Sequence, residues 1–224
     1  YLYDQLNWTN RCIAITGQRG VGKTTLMLQY IKENYANSQD VLYISVDNPY
    51  FKTISLYEFA IEFEQVGGKI LFLDEIHKYK DWSSHIKAIY DNTELQIIFS
   101  GSSMLQIYKD DNDLSRRVIH YKLPNLSFRE YLKFKGILEY HAVDIEDIFN
   151  NHYYIASEIA AFIKPLQYFQ SYLKTGCYPF FLEDEATYHY KLINILNQVL
   201  ESDLLYASNI SFSQIDKIKR LIYL

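Results

Sequence analysis

Eight consecutive residues, Gly17-Gln18-Arg19-Gly20-Val21-Gly22-Lys23-Thr24, follow the phosphate-binding pattern G-x-x-x-x-G-K-[ST], with Thr25 directly after it. Each position has a chemical reason. The glycines let successive backbone N–H groups converge on phosphate oxygens, and a helix starting after them points its positive end at the same charge. Lys23 supplies a mobile cation for β- and γ-phosphates, and the Thr24 hydroxyl can join a Mg2+ shell. The rest of the chain is poor in glycine, with only 8 among 224 residues, three of them inside this short stretch. Glycine is costly to order, so such a cluster marks backbone that must bend or be closely approached.

Two further stretches carry chemistry. In Ile70-Leu71-Phe72-Leu73-Asp74-Glu75, four apolar residues lead into two acids. A buried parallel strand ending in Asp74 can place a carboxylate beside Mg2+, and Glu75 can polarise an attacking water as general base. Ile97-Ile98-Phe99-Ser100-Gly101-Ser102-Ser103 is a strand tipped with hydroxyls. Ligands of open α/β sheets sit at the carboxyl ends of strands, where Ser100 or Ser102 could sense a γ-phosphate or position water. A serine-rich turn or cap competes with that role. Arg117, after Arg116, could reach a phosphate in its own subunit or a neighbour's, against the alternative of a solvated arginine pair. Asp74-Glu75-Ile76-His77 has no zinc-site spacing, which makes His77 a surface or interface histidine.

The elements that must position these residues follow from pattern. Strands are predicted at 11–16, 41–46, 69–73, 95–99 and 117–123, and helices at 24–35, 55–66 and 82–91. Alternating strands and helices imply a parallel sheet with crossover helices. From residue 127 the pattern turns helical: Ser127 and Glu130 form a capping box, with Leu126 and Tyr131 placed as a hydrophobic staple. Leu192, Ile195, Leu196 and Val199 keep helical spacing.

Composition excludes other classes. The chain is 49% hydrophobic and 22% charged, an ordinary globular balance. No apolar run approaches the roughly 18 residues of a membrane span, and no signal peptide is visible, so a cytoplasmic setting without membrane partners is expected. Net charge is −5, with 13 Lys/Arg against 15 Asp/Glu in residues 1–126 and 9 against 12 in 127–224. Neither half has the basic excess of a nucleic-acid-binding unit. Cys12 and Cys177 match no zinc or redox spacing. The 22 tyrosines point to aromatic core packing. The first residue is Tyr1, and an apolar helical pattern runs into the C-terminus, which suggests a piece of a longer protein.

Together these motifs resemble prokaryotic AAA-superfamily P-loop ATPases of the STAND-like and origin-recognition-like group, and in particular predicted ATPases with an uncharacterised C-terminal domain. The resemblance lies in residues 17–25, in Leu73-Asp74-Glu75-Ile76-His77-Lys78 with Asp81-Trp82, in Phe99-Ser100-Gly101-Ser102-Ser103 and in 123–132. Gly176-Cys177-Tyr178-Pro179 looks like that group's Gly…Pro motif, with Cys177 at a place often held by glycine; the resemblance implies that Pro179 packs near adenine. It also implies an α/β fold with five parallel strands in the order 5-1-4-3-2 and a helical lid. The expected organisation is an ATPase core at 1–126, a lid at 127–200 and the start of a C-terminal region at 201–224. ATP and Mg2+ are the implied cofactors, and a protein or DNA partner would act through a further C-terminal module. No arginine finger is assignable, which leaves oligomeric state open. The expected function is a Mg2+-dependent ATPase acting as a nucleotide-controlled switch. Alternatives are a nucleotide-binding module with little hydrolysis, or a DExH-type nucleic-acid-stimulated ATPase, for which residues after 127 supply no second RecA-like unit.

Overall fold

The structure, a computed structural model, describes residues 2–101, 114–203 and 212–222. The chain forms two compact units, Tyr1–Pro124 with Leu196–Leu224, and Asn125–Ile195.

The first unit is built on strands β1 (Cys12–Thr16), β2 (Val41–Ser45), β3 (Ile70–Asp74), β4 (Gln96–Gly101) and β5 (Ile119–Lys122). They pair in the order β2-β3-β4-β1-β5, every pair parallel. Read from the other edge, this is the expected 5-1-4-3-2. Helices α1 (Leu2–Gln5), α2 (Lys23–Tyr35), α3 (Leu56–Gln65) and α4 (Trp82–Asn92) supply the crossovers and covers.

Side chains alternate between the two faces of a strand, and here both faces are covered. On one face Cys12, Ala14, Leu71, Leu73, Ile97 and Phe99 pack with Leu56 and Ala60 of α3 and with Trp82, Ile86 and Ile89 of α4. On the other, Ile13, Ile15, Ile70, Phe72 and Ile98 pack with Met27 of α2 and with Leu6. Burial on both faces is why the central strands read as unbroken apolar runs. Each fully buried Leu or Ile adds about 1.5–3 kcal/mol, so the strands are rigid supports for whatever leaves their ends. Local signals agree with this packing. Ser55 caps α3 by accepting from the Glu58 N–H, and Gly67, at φ 99°, turns the chain after the helix.

The second unit contains the helices Phe128–Phe134, Ile145–Phe162 and Pro165–Thr175 and most of Tyr188–Gln198. Its core is aromatic. Tyr131, Leu132, Phe181 and Tyr188 are buried together, with the Tyr131 and Phe181 rings 5.0 Å apart and those of Phe180 and Tyr188 4.8 Å apart. The expected capping box is present: Ser127 accepts from the Glu130 N–H, and Glu130 Oε2 accepts from the Ser127 N–H at 2.8 Å. No described helix is long and apolar enough to cross a membrane.

Candidate active site

Because β1, β3 and β4 run parallel, their carboxyl ends open on one edge of the sheet. The glycine loop leaves β1 there. Gly20 and Gly22 have φ of 83° and 100°, in the left-handed region that glycine enters without strain. Gly17 answers a different need, since a Cβ on it would lie 2.5 Å from the Leu123 carbonyl oxygen. Gly22 caps α2, so no side chain competes for the first N–H groups of the helix. Thr24 and Thr25 are exposed at the start of that helix.

Lys23 is only 5% exposed. Its ammonium donates to the Gly17 and Gln18 carbonyl oxygens, both at 3.0 Å, which folds the side chain back along the loop. Asp74, 3% exposed at the end of β3, is the hub of the neighbouring cluster. Its Oδ2 accepts from the Thr24 hydroxyl at 2.6 Å and from the Tyr43 hydroxyl at 2.7 Å. Its Oδ1 accepts from the Glu75 N–H at 3.1 Å and from the Ser100 hydroxyl. Ser100 Oγ in turn accepts from the Glu75 N–H at 3.2 Å. Burial first, and then the bond to the Asp74 carboxylate, push the Tyr43 phenol above its ordinary range.

Glu75 departs from ordinary geometry. Its φ of 57° and ψ of 38° are left-handed, a conformation that costs a non-glycine residue on the order of 1–3 kcal/mol and recurs at functional sites. Its Oε2 is buried and accepts no hydrogen bond. Three nitrogen-bearing side chains stand around that oxygen: His77 Nε2 at 3.4 Å, Lys78 Nζ at 3.7 Å and Arg19 Nη2 at 3.9 Å. Lys78 also donates to Asp47 Oδ2 at 2.7 Å and, as the main cause, holds the Asp47 carboxyl below its usual range. A cavity of about 600 Å³ over the exits of β2 and β3 is lined in part by Asp47, Lys52, His77 and Lys78; none of residues 17–24 lines it, so it is distinct from the phosphate loop.

Lys23, Thr24, Asp74, Glu75 and Ser100 are therefore brought together with the loop 17–22. Ser102 lies outside the described residues, and Pro179 belongs to the second unit. Two expectations are corrected. Arg117 is not brought to the loop of its own chain. It precedes β5, whose far end, Lys122, pairs with Thr16 at the loop, so the strand's length of about 10 Å intervenes. There it makes a two-pronged pair with Asp91, at 2.9 and 3.1 Å. The second is the surface alternative for His77: its side chain is 4% exposed, in the turn that follows the left-handed Glu75. Tyr43 was missed by motif. Its signal lies only in the pairing of β2 with β3, which sequence spacing does not carry.

The acceptor-rich, oxygen-only pair Thr24 and Asp74 suits a hard divalent cation, and the cationic loop suits phosphate. A family model described as an AAA domain matches residues 9–132, more than half of the chain. The chain belongs to the AAA domain family. This places it in the AAA superfamily of P-loop proteins, with a nucleotide-binding domain. The AAA domain is similar to two uncharacterized proteins of Methanocaldococcus jannaschii. One, MJ1637, is 30% identical over 95% of this chain and 47% of its own length. The other, MJ1544, is 29% identical over 57% of this chain and 29% of its own. The chain thus spans about half or less of the curated relatives it matches. AMPPCP-bound DnaA from Aquifex aeolicus shares the fold, with a TM-score of 0.52 and 18% identity, over 90% of this chain and 61% of that one.

Proposed function

We propose that this AAA domain binds ATP with Mg2+ and hydrolyses it, acting as a nucleotide-controlled switch in the cytoplasm. The observation that carries this is the convergence of Lys23, Thr24, Asp74, Glu75 and Ser100 on one edge of the sheet. Backbone N–H groups of residues 17–22 and of the start of α2 cradle the phosphates. Lys23 exchanges its two loop carbonyls for phosphate oxygens, which its flexible stem permits. Thr24 and Asp74 would hold Mg2+, which supplies neutralisation of the developing phosphate charge. Glu75 takes the proton of the attacking water, and Ser100, with Ser102, orients that water or the γ-phosphate. Gln18, Arg19, Val21 and Thr25 complete the nucleotide-binding segment, and Pro179 of the helical unit is the proposed neighbour of the adenine. The binding of the ATP analogue AMPPCP by DnaA supports the choice of nucleotide. A protein or DNA partner, engaged through a further module of the kind that the longer relatives have room for, would read the switch.

The ring of Arg19, His77 and Lys78 around Glu75 favours a second reading, a domain that binds nucleotide and turns it over slowly. These groups stand against the carboxylate oxygen that would otherwise face an attacking water. Single-turnover hydrolysis of labelled ATP separates the two. Lys23→Ala loses ATP binding, and Glu75→Gln keeps binding while losing turnover. Hydrolysis unchanged in Glu75→Gln removes Glu75 from the chemistry. A parent chain that retains ATP uncleaved establishes the binding module instead.

A further inference from the structure

An ionised carboxylate offers about four acceptor sites. Asp74 has four donors: the Thr24 hydroxyl, the Tyr43 hydroxyl, the Glu75 N–H and the Ser100 hydroxyl. Three of them come from the phosphate loop, the acidic pair or the hydroxyl-tipped strand. The fourth comes from β2, 31 residues away in sequence, and belongs to no motif.

The fold explains how it arrives. β2 lies beside β3 with Tyr43 opposite Phe72 and Ser45 opposite Asp74. Val41 and Tyr43 pack on the same side of the sheet as Ile70, Phe72 and Met27 of α2. The ring is thus set among apolar neighbours while its hydroxyl reaches the carboxylate two residues further along the adjacent strand. Thr24 and Tyr43 meet the same oxygen, Oδ2, but their duties differ. Thr24 has a lone pair to give to a cation while its proton remains on Asp74. Tyr43 stands on the strand side, where its hydroxyl donates to the carboxylate and also lies within reach of Thr24.

We propose that Tyr43 is a positioning residue for the metal end of the site, fixing Asp74 Oδ2 so that the carboxylate and the Thr24 hydroxyl it holds are already in place when a nucleotide-bound divalent cation arrives. The proposal rests on the reading of Thr24 and Asp74 as the Mg2+ pair. Its physical basis is preorganisation: without the Tyr43 hydroxyl, Oδ2 is held by Thr24 alone, the very group that is to meet the cation, and ordering the pair then draws on the binding energy of the cation. Hydrogen-bonded supports of metal ligands typically carry about 10–100-fold in metal affinity.

Tyr43→Phe removes one oxygen and keeps the ring. In the full chain, Mn2+ uptake in the presence of AMPPCP, read by electron paramagnetic resonance, should weaken by about tenfold. AMPPCP affinity in EDTA should stay at the parental value. In turnover, the Mg2+ concentration for half-maximal rate should rise, with kcat regained at saturating Mg2+. Mn2+ affinity within about twofold of the parent, far short of the range such supports carry, overturns the proposal. A lowered melting temperature with parental Mn2+ affinity also overturns it, because the hydroxyl then serves the fold. A parent that takes up no Mn2+ with AMPPCP overturns the reading of Thr24 and Asp74 as well; a parent that does, matched by Tyr43→Phe, overturns this proposal alone.

Discussion

Gly17→Ala tests whether the loop is held by close approach to β5. The added Cβ would lie 2.5 Å from the Leu123 carbonyl oxygen, 3.4 Å from its carbonyl carbon and 3.1 Å from Val21 Cγ2. Val21 can adjust its side chain, but the Leu123 carbonyl cannot easily yield. The Leu123 N–H donates to the Thr16 carbonyl at 2.7 Å, which ties the end of β5 to the start of the loop. Restoring ordinary contact requires an opening of about 0.9 Å between these two segments. Overpacking of this kind typically costs about 1–3 kcal/mol. Since 1.4 kcal/mol is tenfold in a binding constant, ATP affinity should fall by about 10–100-fold as the loop gives way. Titration with a fluorescent ATP analogue, beside thermal unfolding, reads both affinity and stability. Gly67→Ala is the control. Gly67 has φ 99° and nothing within 4 Å of a Cβ, so alanine there meets backbone strain of about 1–2 kcal/mol without steric contact at the site. It should lower the melting temperature and leave affinity alone. Parental ATP affinity in Gly17→Ala refutes the reasoning, because the segment that moved would then be β5 and not the phosphate loop.

Two other expectations concern groups away from the loop. Arg117→Ala should keep parental ATP affinity and lose at most about 1 kcal/mol of stability with its partly exposed pair to Asp91; a tenfold loss of ATP affinity in a monomeric preparation would return Arg117 to the site. His85 and His120 both have pKa values lowered by burial, at His85 with a smaller opposing pull from Asp81. The unfolded chain therefore binds more protons once pH drops below the ordinary histidine value. Their contribution is complete above about pH 6.5 and is lost on acidification toward the folded values. Melting temperature should fall between about pH 7.5 and pH 5.5, less steeply in His120→Gln. A melting temperature that is flat or rises over that interval contradicts the assignment.

What could be read from sequence depended on whether its cause was local. The strands around Ile13, Leu71 and Ile97 announce themselves because both faces of the sheet are covered, leaving no polar alternation to blur the run. The loop and the acidic pair are legible because a phosphate cradle needs its glycines, lysine and threonine in fixed succession. The order of the strands came from resemblance, since periodicity carries no information about which strands are neighbours. Arg117 failed for want of direction: a basic residue before a parallel strand stands at the amino edge, and the rule that ligands gather at carboxyl edges would have placed it away from the loop. The surface alternative for His77 failed because spacing does not reveal the left-handed turn at Glu75 that precedes it. Tyr43 is the most instructive case. It is one of 22 tyrosines, and nothing in its own strand distinguishes it. Its hydroxyl matters only because Ser45 pairs with Asp74, a contact between strands separated by a helix. A polar tip at the β2 position two residues before the partner of the acidic residue is what long-range register adds to the motif, and Tyr43→Phe tests that addition directly.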